Sequence, residues 1–573
     1  MERRVFLSSV AGAAVGGAAT LAAPLEAKPG QSHHPNVILV MTDDQGYGDL
    51  ACHGNPIIQT PNLDRLHGQS TRLTNFHVDP LCSPTRAALM TGRYSARTGV
   101  WATTIGRSLL DRRETTVADV FKASGYRTAM FGKWHLGDNY PYRPQDRGFD
   151  HVLAHGGGGV GQAPDFWGND YFDDTYFRNG RPEPHKGYCT DVFFDAALKF
   201  IEASRDRPFF VYLATNAPHG PYRVDPKYSG PYKKQGVKSP TAEFYGMITN
   251  FDENMGRLMR RLDELKLADD TILVFLTDNG TAAGAFSAGM RGRKGSSFEG
   301  GHRVPCFLRW PGKLHAGRDV SRLAAHIDLL PTLIELCGLK KPEGVAFDGI
   351  SLATTLAAEG KWRDRTLFVQ TQQCFTPKKW RSSAVMTQDW RLVNGTALYH
   401  ATSDPGQKTD VAAKHPEVVT RLRKAYEAWW AQLSERFDTV CPIVIGSDRE
   451  DPVRLCSFDW LGFATPRGIP WSQGAVRNPK LFANGPWAVE IERAGKYQVT
   501  LCRFPPEAKQ VMGAKAVRLK VGDVDETKPV DPSALAVAFD VELKTGRTQL
   551  QTWLTDAATG KTRGACYVYV KRL

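Results

Sequence analysis

Asn36-Val37-Ile38-Leu39-Val40-Met41-Thr42-Asp43-Asp44-Gln45-Gly46-Tyr47-Gly48 is the stretch from which the fold is read. Asn36 to Thr42 is a continuous apolar run of strand length. That pattern suits a central parallel strand buried on both faces. It ends in two adjacent carboxylates, Asp43 and Asp44, and open α/β sheets bind ligands just outside the carboxyl ends of their strands. The same pair also suits a turn in which an aspartate caps the next helix.

Working outward, the pattern repeats. Arg127 to Phe131, Phe209 to Thr215 and Thr271 to Thr277 read as further strands, and Thr71 to His77 as another. Asn62 to Leu66, Thr116 to Ser124, Thr190 to Ala203 and Thr241 to Lys266 read as helices between them. This alternation predicts a doubly wound, mixed α/β sheet. Three of these strands again run into reactive groups: Gly132-Lys133-Trp134-His135, Ala217-Pro218-His219-Gly220, and Asp278-Asn279-Gly280. Lys133 and His135, two apart, point to the same side of an extended segment. Residues 151–185 are rich in glycine, aromatics and histidine, with a glycine run from Gly156 to Gly161. A dinucleotide fingerprint there lacks its βαβ frame and acidic residue, so the segment reads as a mobile loop lining the pocket.

A second stretch carries the chemistry: Pro80-Leu81-Cys82-Ser83-Pro84-Thr85-Arg86-Ala87-Ala88-Leu89-Met90-Thr91-Gly92. Cys82 sits where a loop turns into a helix; Pro84 fits the first turn and Gly92 can end it. A side chain there faces the positive end of the helix dipole, which favours an anion and the group that attacks it. Read alone, the stretch also fits a buried free cysteine beside a helix start.

The stretch resembles the Cys-x-Pro-x-Arg signature of the type I sulfatases, in the alkaline phosphatase superfamily. Gly132-Lys133-Trp134-His135, His219 after its strand, and Arg291 to Pro305 (with Lys294) are similar to further elements of that family. Thr85 stands where serine is commoner. The resemblance spans Asn36 to Leu433. It implies that Cys82 is oxidised to formylglycine, whose hydrate attacks sulfur. It further implies that Arg86 and Lys133 stabilise that diol, Asp278 takes the nucleophile's proton, His135 deprotonates the second hydroxyl, and His219 with Lys294 protonates the leaving group. The metal set is Asp43, Asp44, Asp278 and Asn279 together with residue 82. These side chains offer hard oxygens and no imidazole, which selects Ca²⁺ or Mg²⁺ over zinc, and a carboxylate-rich site favours Ca²⁺. The expected activity is hydrolysis of a sulfated saccharide or aryl sulfate. The alternatives are a phosphonate monoester or phosphodiester hydrolase of the same superfamily, or a non-catalytic glycan-binding protein. The last is disfavoured because every matched position carries a reactive residue type.

The chain has 573 residues, a formal charge of +13 and a pI near 9.2, which predicts several domains and polyanionic partners. Nucleic acid is not favoured, for want of Lys/Arg clusters, zinc-finger spacing or RNA-binding motifs; a sulfated substrate explains the same charge. Arg3-Arg4, followed by a weakly apolar run to about Leu25, resembles a twin-arginine export signal. Residues 1–30 are therefore expected to be signal and linker, the protein periplasmic or secreted without a stable membrane span, and Cys82 oxidised beforehand by a formylglycine-generating enzyme. Residues 36–345 are expected as the catalytic domain, 346–436 as a small antiparallel subdomain, and 440–573 as a separate β-sandwich. In the subdomain, Ser383 to Val393 reads as one strand. The sandwich's Trp460, Trp471, Trp487 and Trp553 suit core packing more than sugar stacking. Its Cys441, Cys456, Cys502 and Cys566 suit disulfides or reduced packing equally.

Overall fold

Asn36–Thr42 lies near the middle of a ten-stranded mixed sheet. It pairs in parallel with Phe209–Ala214 on one side and Thr271–Thr277 on the other. Arg127–Lys133 and His151–His155 continue the parallel run beyond Phe209–Ala214. Cys306–Arg309 lies antiparallel beyond Thr271–Thr277 and carries Thr71–Leu73, then Arg318–Val320. The computed structural model describes residues 34–358, 362 and 364–573. The export signal expected over residues 1–30 lies outside the described residues.

The apolar runs are explained by helices on both faces. Val37, Leu39 and Met41 join a cluster built with the helices Cys82–Thr91, Val117–Ala123 and Leu329–Leu336. Ile38 and Val40, pointing the other way, join a cluster with Pro61–Gly68, Cys189–Glu202 and Thr241–Glu264. Each such buried aliphatic side chain contributes about 1.5–3 kcal/mol. The helix ends are locally encoded. Thr116 and Asp119 form a reciprocal capping box, and Gly92 closes Cys82–Thr91 at φ 66°, a conformation that favours glycine.

Three expectations need correction. Residues 151–185 are not one loop: His151–His155 joins the sheet, and the hairpin Thr175–Arg178/Arg181–Pro184 extends its edge. Thr71 to His77 is two strands, since Thr74-Asn75 turns the chain and Phe76–His77 pairs with Ala324–Ala325 in a separate sheet. Ser383 to Val393 is likewise a hairpin, broken at Gln388-Asp389 into Ser383–Met386 and Trp390–Val393.

That hairpin belongs to a four-stranded antiparallel sheet completed by Leu367–Gln370 and Ala397–His400. The helix Pro416–Ser434 covers it with Leu422, Tyr426 and Trp430. Two further sheets, one of six strands and one of four, face each other over a core of their own. Their strands alternate as a half-buried strand should: Trp487–Ile491 is buried at every second residue. This sandwich is joined to the α/β body by Tyr142, whose hydroxyl donates to Pro442 O at 2.7 Å, and by Tyr567, which donates to Ala163 O at 2.9 Å. All ten cysteines are free, so Cys441, Cys456, Cys502 and Cys566 take the reduced, packed option. Among the described residues no helix is long and apolar enough to cross a membrane.

Candidate active site

Adjacent strands deliver their end residues to one spot. Asp43 and Asp44 follow Asn36–Thr42, and Asp278 and Asn279 follow its neighbour Thr271–Thr277. Lys133 ends Arg127–Lys133 with His135 two residues on, and His219 follows Phe209–Ala214 between them. Cys82, the first residue of Cys82–Thr91, is 3% exposed and opens into the same space. Every site residue named from the sequence meets here.

Charge is balanced pairwise, as burial requires. Lys133 Nζ lies 2.5 Å from Asp43 Oδ2, and Lys294 Nζ 2.5 Å from Asp44 Oδ1. Arg86 donates to Asp278 Oδ2 at 2.8 Å, and also to Lys133 O and the Tyr212 hydroxyl. Asp278 Oδ1 accepts from the Asp44 N–H at 3.0 Å, and Asn279 Nδ2 donates to Asp44 Oδ1 at 2.9 Å. Burial and the neighbouring Asp278 push Asp43 well above the usual carboxylate range, against Lys133. Burial acts on Asp44 too, but Lys294 and His219 outweigh it and hold that carboxyl low. Asp278 is held low by Arg86 and Lys133 against its burial.

Two buried oxygens, Asp43 Oδ1 and Asn279 Oδ1, have no partner in this network. Orphaned acceptors beside three carboxylates are what a hard cation would satisfy, so Asp43, Asp44, Asp278 and Asn279 fit the expected ion.

The two histidines differ in which nitrogen is free. His135 Nε2 donates to Thr103 O at 2.9 Å, which leaves Nδ1 unprotonated, and Nδ1 has no partner. Burial and Lys133 keep the ring neutral. His219 Nδ1 donates to Gly220 O at 2.6 Å, leaving Nε2 to face Asp44 Oδ2 at 3.9 Å. Burial lowers its pKa to about 4, against the pull of Asp44. His135 (φ 60°) and Asp44 (φ 69°) both adopt the left-handed conformation, a strain of about 1–3 kcal/mol that clusters at functional sites. The Cys82 thiol is pushed up by burial, so unmodified it stays protonated and a poor nucleophile.

Cys82, His135, His219 and Lys294 line a cavity of about 270 Å³ together with Phe458, Pro466 and Trp471. A larger cavity, about 430 Å³, opens between Arg143 and Arg454 but touches none of the predicted catalytic residues. Chemistry, not size, marks the smaller one. Trp471 departs from the core-packing expectation: Trp460 and Trp487 are fully buried, whereas Trp471 is 44% exposed. Trp553 lies under the Arg518 guanidinium. Sequence reading missed Thr103, Tyr212 and Phe458, which have no local signature and reach the site only through the fold.

The glycine run presses against both imidazoles. A Cβ on Gly158 would lie 2.2 Å from His135 Cε1, so the ring would have to move. Gly158→Ala is therefore expected to lower kcat by about 10²-fold, the usual cost of misplacing a reacting group by about 1 Å. Steady-state kinetics with an aryl sulfate checks this; an unchanged kcat would mean that His135 is not held by that contact.

The chain is similar to known proteins along most of its length. A family profile described as Sulfatase matches residues 35–339, and one described as N-sulphoglucosamine sulphohydrolase, C-terminal, matches residues 293–431. Arylsulfatase A of Homo sapiens is 32% identical over 431 residues, 68% of this chain and 82% of that protein. N-acetylgalactosamine-6-sulfatase of Homo sapiens is 31% identical over 373 residues, 59% of this chain and 69% of that protein. The solved structure of Ps i-CgsB in complex with k-i-k-neocarrahexaose superposes with a TM-score of 0.64 at 27% identity, covering 71% of this chain and 100% of the other.

Proposed function

This chain belongs to the sulfatase family and is a sulfuric ester hydrolase, and we propose that its substrate is a sulfated saccharide. The reading includes a formylglycine made from Cys82 and a divalent cation, Ca²⁺ in preference to Mg²⁺, held by Asp43, Asp44, Asp278, Asn279 and residue 82. One observation carries it. The helix-start Cys82 opens onto a cavity where two neutral imidazoles, a buried lysine and arginine, and an all-oxygen ligand set converge.

A hydrated formylglycine supplies one hydroxyl to attack sulfur and a second whose deprotonation frees sulfate; the cation supplies Lewis-acid withdrawal of charge from the sulfate oxygens. The chain's own groups do the rest. Lys133 and Arg86, fixed by Asp43 and Asp278, set their charges beside residue 82. His135 Nδ1, with its lone pair free, takes a proton. His219, protonated at Nε2 once an arriving sulfate adds its negative charge, gives that proton to the departing oxygen, with the Lys294 ammonium beside it. Asp278 has both carboxylate oxygens engaged and its acidity raised, which suits holding a cation better than accepting a proton. The attacking hydroxyl then loses its proton to solvent before attack, with the Lys133 and Arg86 charges favouring its ionised form.

The saccharide reading draws support from the N-acetylgalactosamine-6-sulfatase relative, the saccharide-bound structural neighbour and the +13 charge. Arg3-Arg4 supports export to the periplasm or beyond, after oxidation of Cys82 by a formylglycine-generating enzyme.

Wild-type enzyme is expected to release sulfate from galactose or N-acetylgalactosamine monosulfates. EDTA should abolish this and Ca²⁺ restore it, with Asp43→Asn weakening the rescue. Ca²⁺ at 100 times its Kd should also stabilise the fold by about 2.7 kcal/mol, visible as a raised Tm. Full activity in protein shown by elemental analysis to be free of metal would refute the cation. Faster turnover of phosphonate monoesters than of sulfate esters would refute the substrate class.

A further inference from the structure

Trp471 has a large apolar ring, 44% exposed, in the wall of the reactive cavity. It lies beyond both family-profile matches, which end at residues 339 and 431. Its backbone is nonetheless firmly held. Trp471 O accepts from Ala163 N at 3.0 Å, and the flanking Ser472 pairs with Gln162 across an isolated bridge. Gln473 bonds the glycine-rich segment from both ends: its N–H donates to Gly161 O, its Nε2 to Phe166 O at 3.0 Å, and its Oε1 accepts from Gly168 N. Upstream, Ser457 Oγ donates to Pro470 O at 2.9 Å, and Ile105 N–H donates to Phe458 O. The segment from Phe458 to Gln473 is thus tied to the α/β body, with Phe458, Pro466 and Trp471 lining the cavity. Among the described residues no aromatic ring stacks on Trp471.

The same cavity is lined by the groups that handle an anion: Lys294, His219 and residue 82. Thr103, Gln162 and Gln373 bring hydroxyl and amide groups to the same cavity. The cavity, about 270 Å³, is of a size for one pyranose with its sulfate rather than for a threaded chain. A pyranose matches this layout: an apolar C–H face for an indole, hydroxyls for amides, and a sulfate at the cationic end. Ligand pockets are built in this way, from aromatic walls and a few placed polar groups.

We propose that Trp471, contributed by the C-terminal sandwich region, is the stacking platform for the sugar ring that bears the scissile sulfate, and so a specificity-determining residue of this active site. This rests on the saccharide reading above. The sandwich then completes the catalytic pocket instead of acting as a distant binding module.

The test compares wild type, Trp471→Ala and Trp471→Phe on galactose and N-acetylgalactosamine monosulfates, with inorganic sulfate as inhibitor. Trp471→Ala should raise KM for the sulfated sugar at least tenfold, with the loss falling on KM rather than kcat, and Trp471→Phe should recover most of it. The Ki of inorganic sulfate should not move, because the anion end is untouched. A half-exposed ring contributes little packing, so Tm should stay within a few degrees. An unchanged KM overturns the proposal while leaving the sulfatase reading intact. A large fall in Tm with proportionate losses in kcat and sulfate affinity also overturns it, showing a packing role. Sulfate release from an aryl sulfate but from no saccharide overturns the saccharide reading, and this one with it.

Discussion

Cys82→Ala is expected to lower turnover by at least about 10⁴-fold and to leave the protein folded. Removing a hydrolase nucleophile costs up to about 10⁶-fold, and what remains comes from binding and electrostatic stabilisation. The substitution deletes one sulfur at the start of Cys82–Thr91 and leaves the ion pairs Arg86–Asp278 and Lys133–Asp43 in place. Circular dichroism and Tm should therefore match wild type. Cys82→Ser is the sharper probe. A serine hydroxyl can accept sulfate once but has no second hydroxyl with which to release it. That variant should take up one sulfate per chain by intact mass and then stop. In wild type produced with a formylglycine-generating enzyme, hydrazide capture and peptide mass should show an aldehyde at position 82. An active enzyme whose residue 82 is still a thiol would overturn the mechanism, and the raised thiol pKa already argues against direct attack by sulfur.

The strands that build this site were legible because burial on both faces forces a readable pattern. Asn36–Thr42 and Thr271–Thr277 are buried throughout, with only their end residues polar, and occur with the bounds expected of them. Asp43, Asp44, Lys133, His135, His219, Asp278 and Asn279 were legible for a related reason: each lies within a few positions of such a strand end, so sheet order brings them together. Cys82, Arg86 and Lys294 lie on a helix and a loop and were legible only through their motifs. Edge structure was not. Arg181–Pro184 carries two prolines and is mostly exposed, so neither composition nor alternation marks it as a strand. Trp471 and Trp487 look alike in the sequence. One sits in a strand with its indole N–H donating to Cys456 O at 2.7 Å, the other on a loop across the cavity. Only the tertiary path of the chain separates them. The same holds for Thr103, whose carbonyl sets the tautomer of a histidine far along the sequence.

The two histidines should fail in different ways. His219→Ala should impair esters of basic alcohols about 10²- to 10⁴-fold more than nitrophenyl sulfates, the span typical of general acid catalysis. A nitrophenolate leaves without a proton; a sugar alkoxide does not. His219 is suited to the task by its Nδ1–H···O bond to Gly220, which leaves Nε2 free, 3.9 Å from Asp44 Oδ2, on a residue that lines the cavity. In the free enzyme burial keeps its pKa at about 4, and an arriving sulfate adds the negative charge that favours its protonated form. Lys294, held charged by Asp44 against its burial, stands beside it and sets the residual rate when His219 is gone. His135→Ala should instead spare the first step and slow the second, because its unpartnered Nδ1 is the base within the cavity. The signature is a burst of alcohol equal to the enzyme concentration, followed by slow turnover, on activated and unactivated esters alike. Quenched-flow kinetics on both variants with both ester types separates the roles. Equal losses across esters for His219→Ala, together with no burst in His135→Ala, would mean that the proton transfers are assigned to the wrong rings.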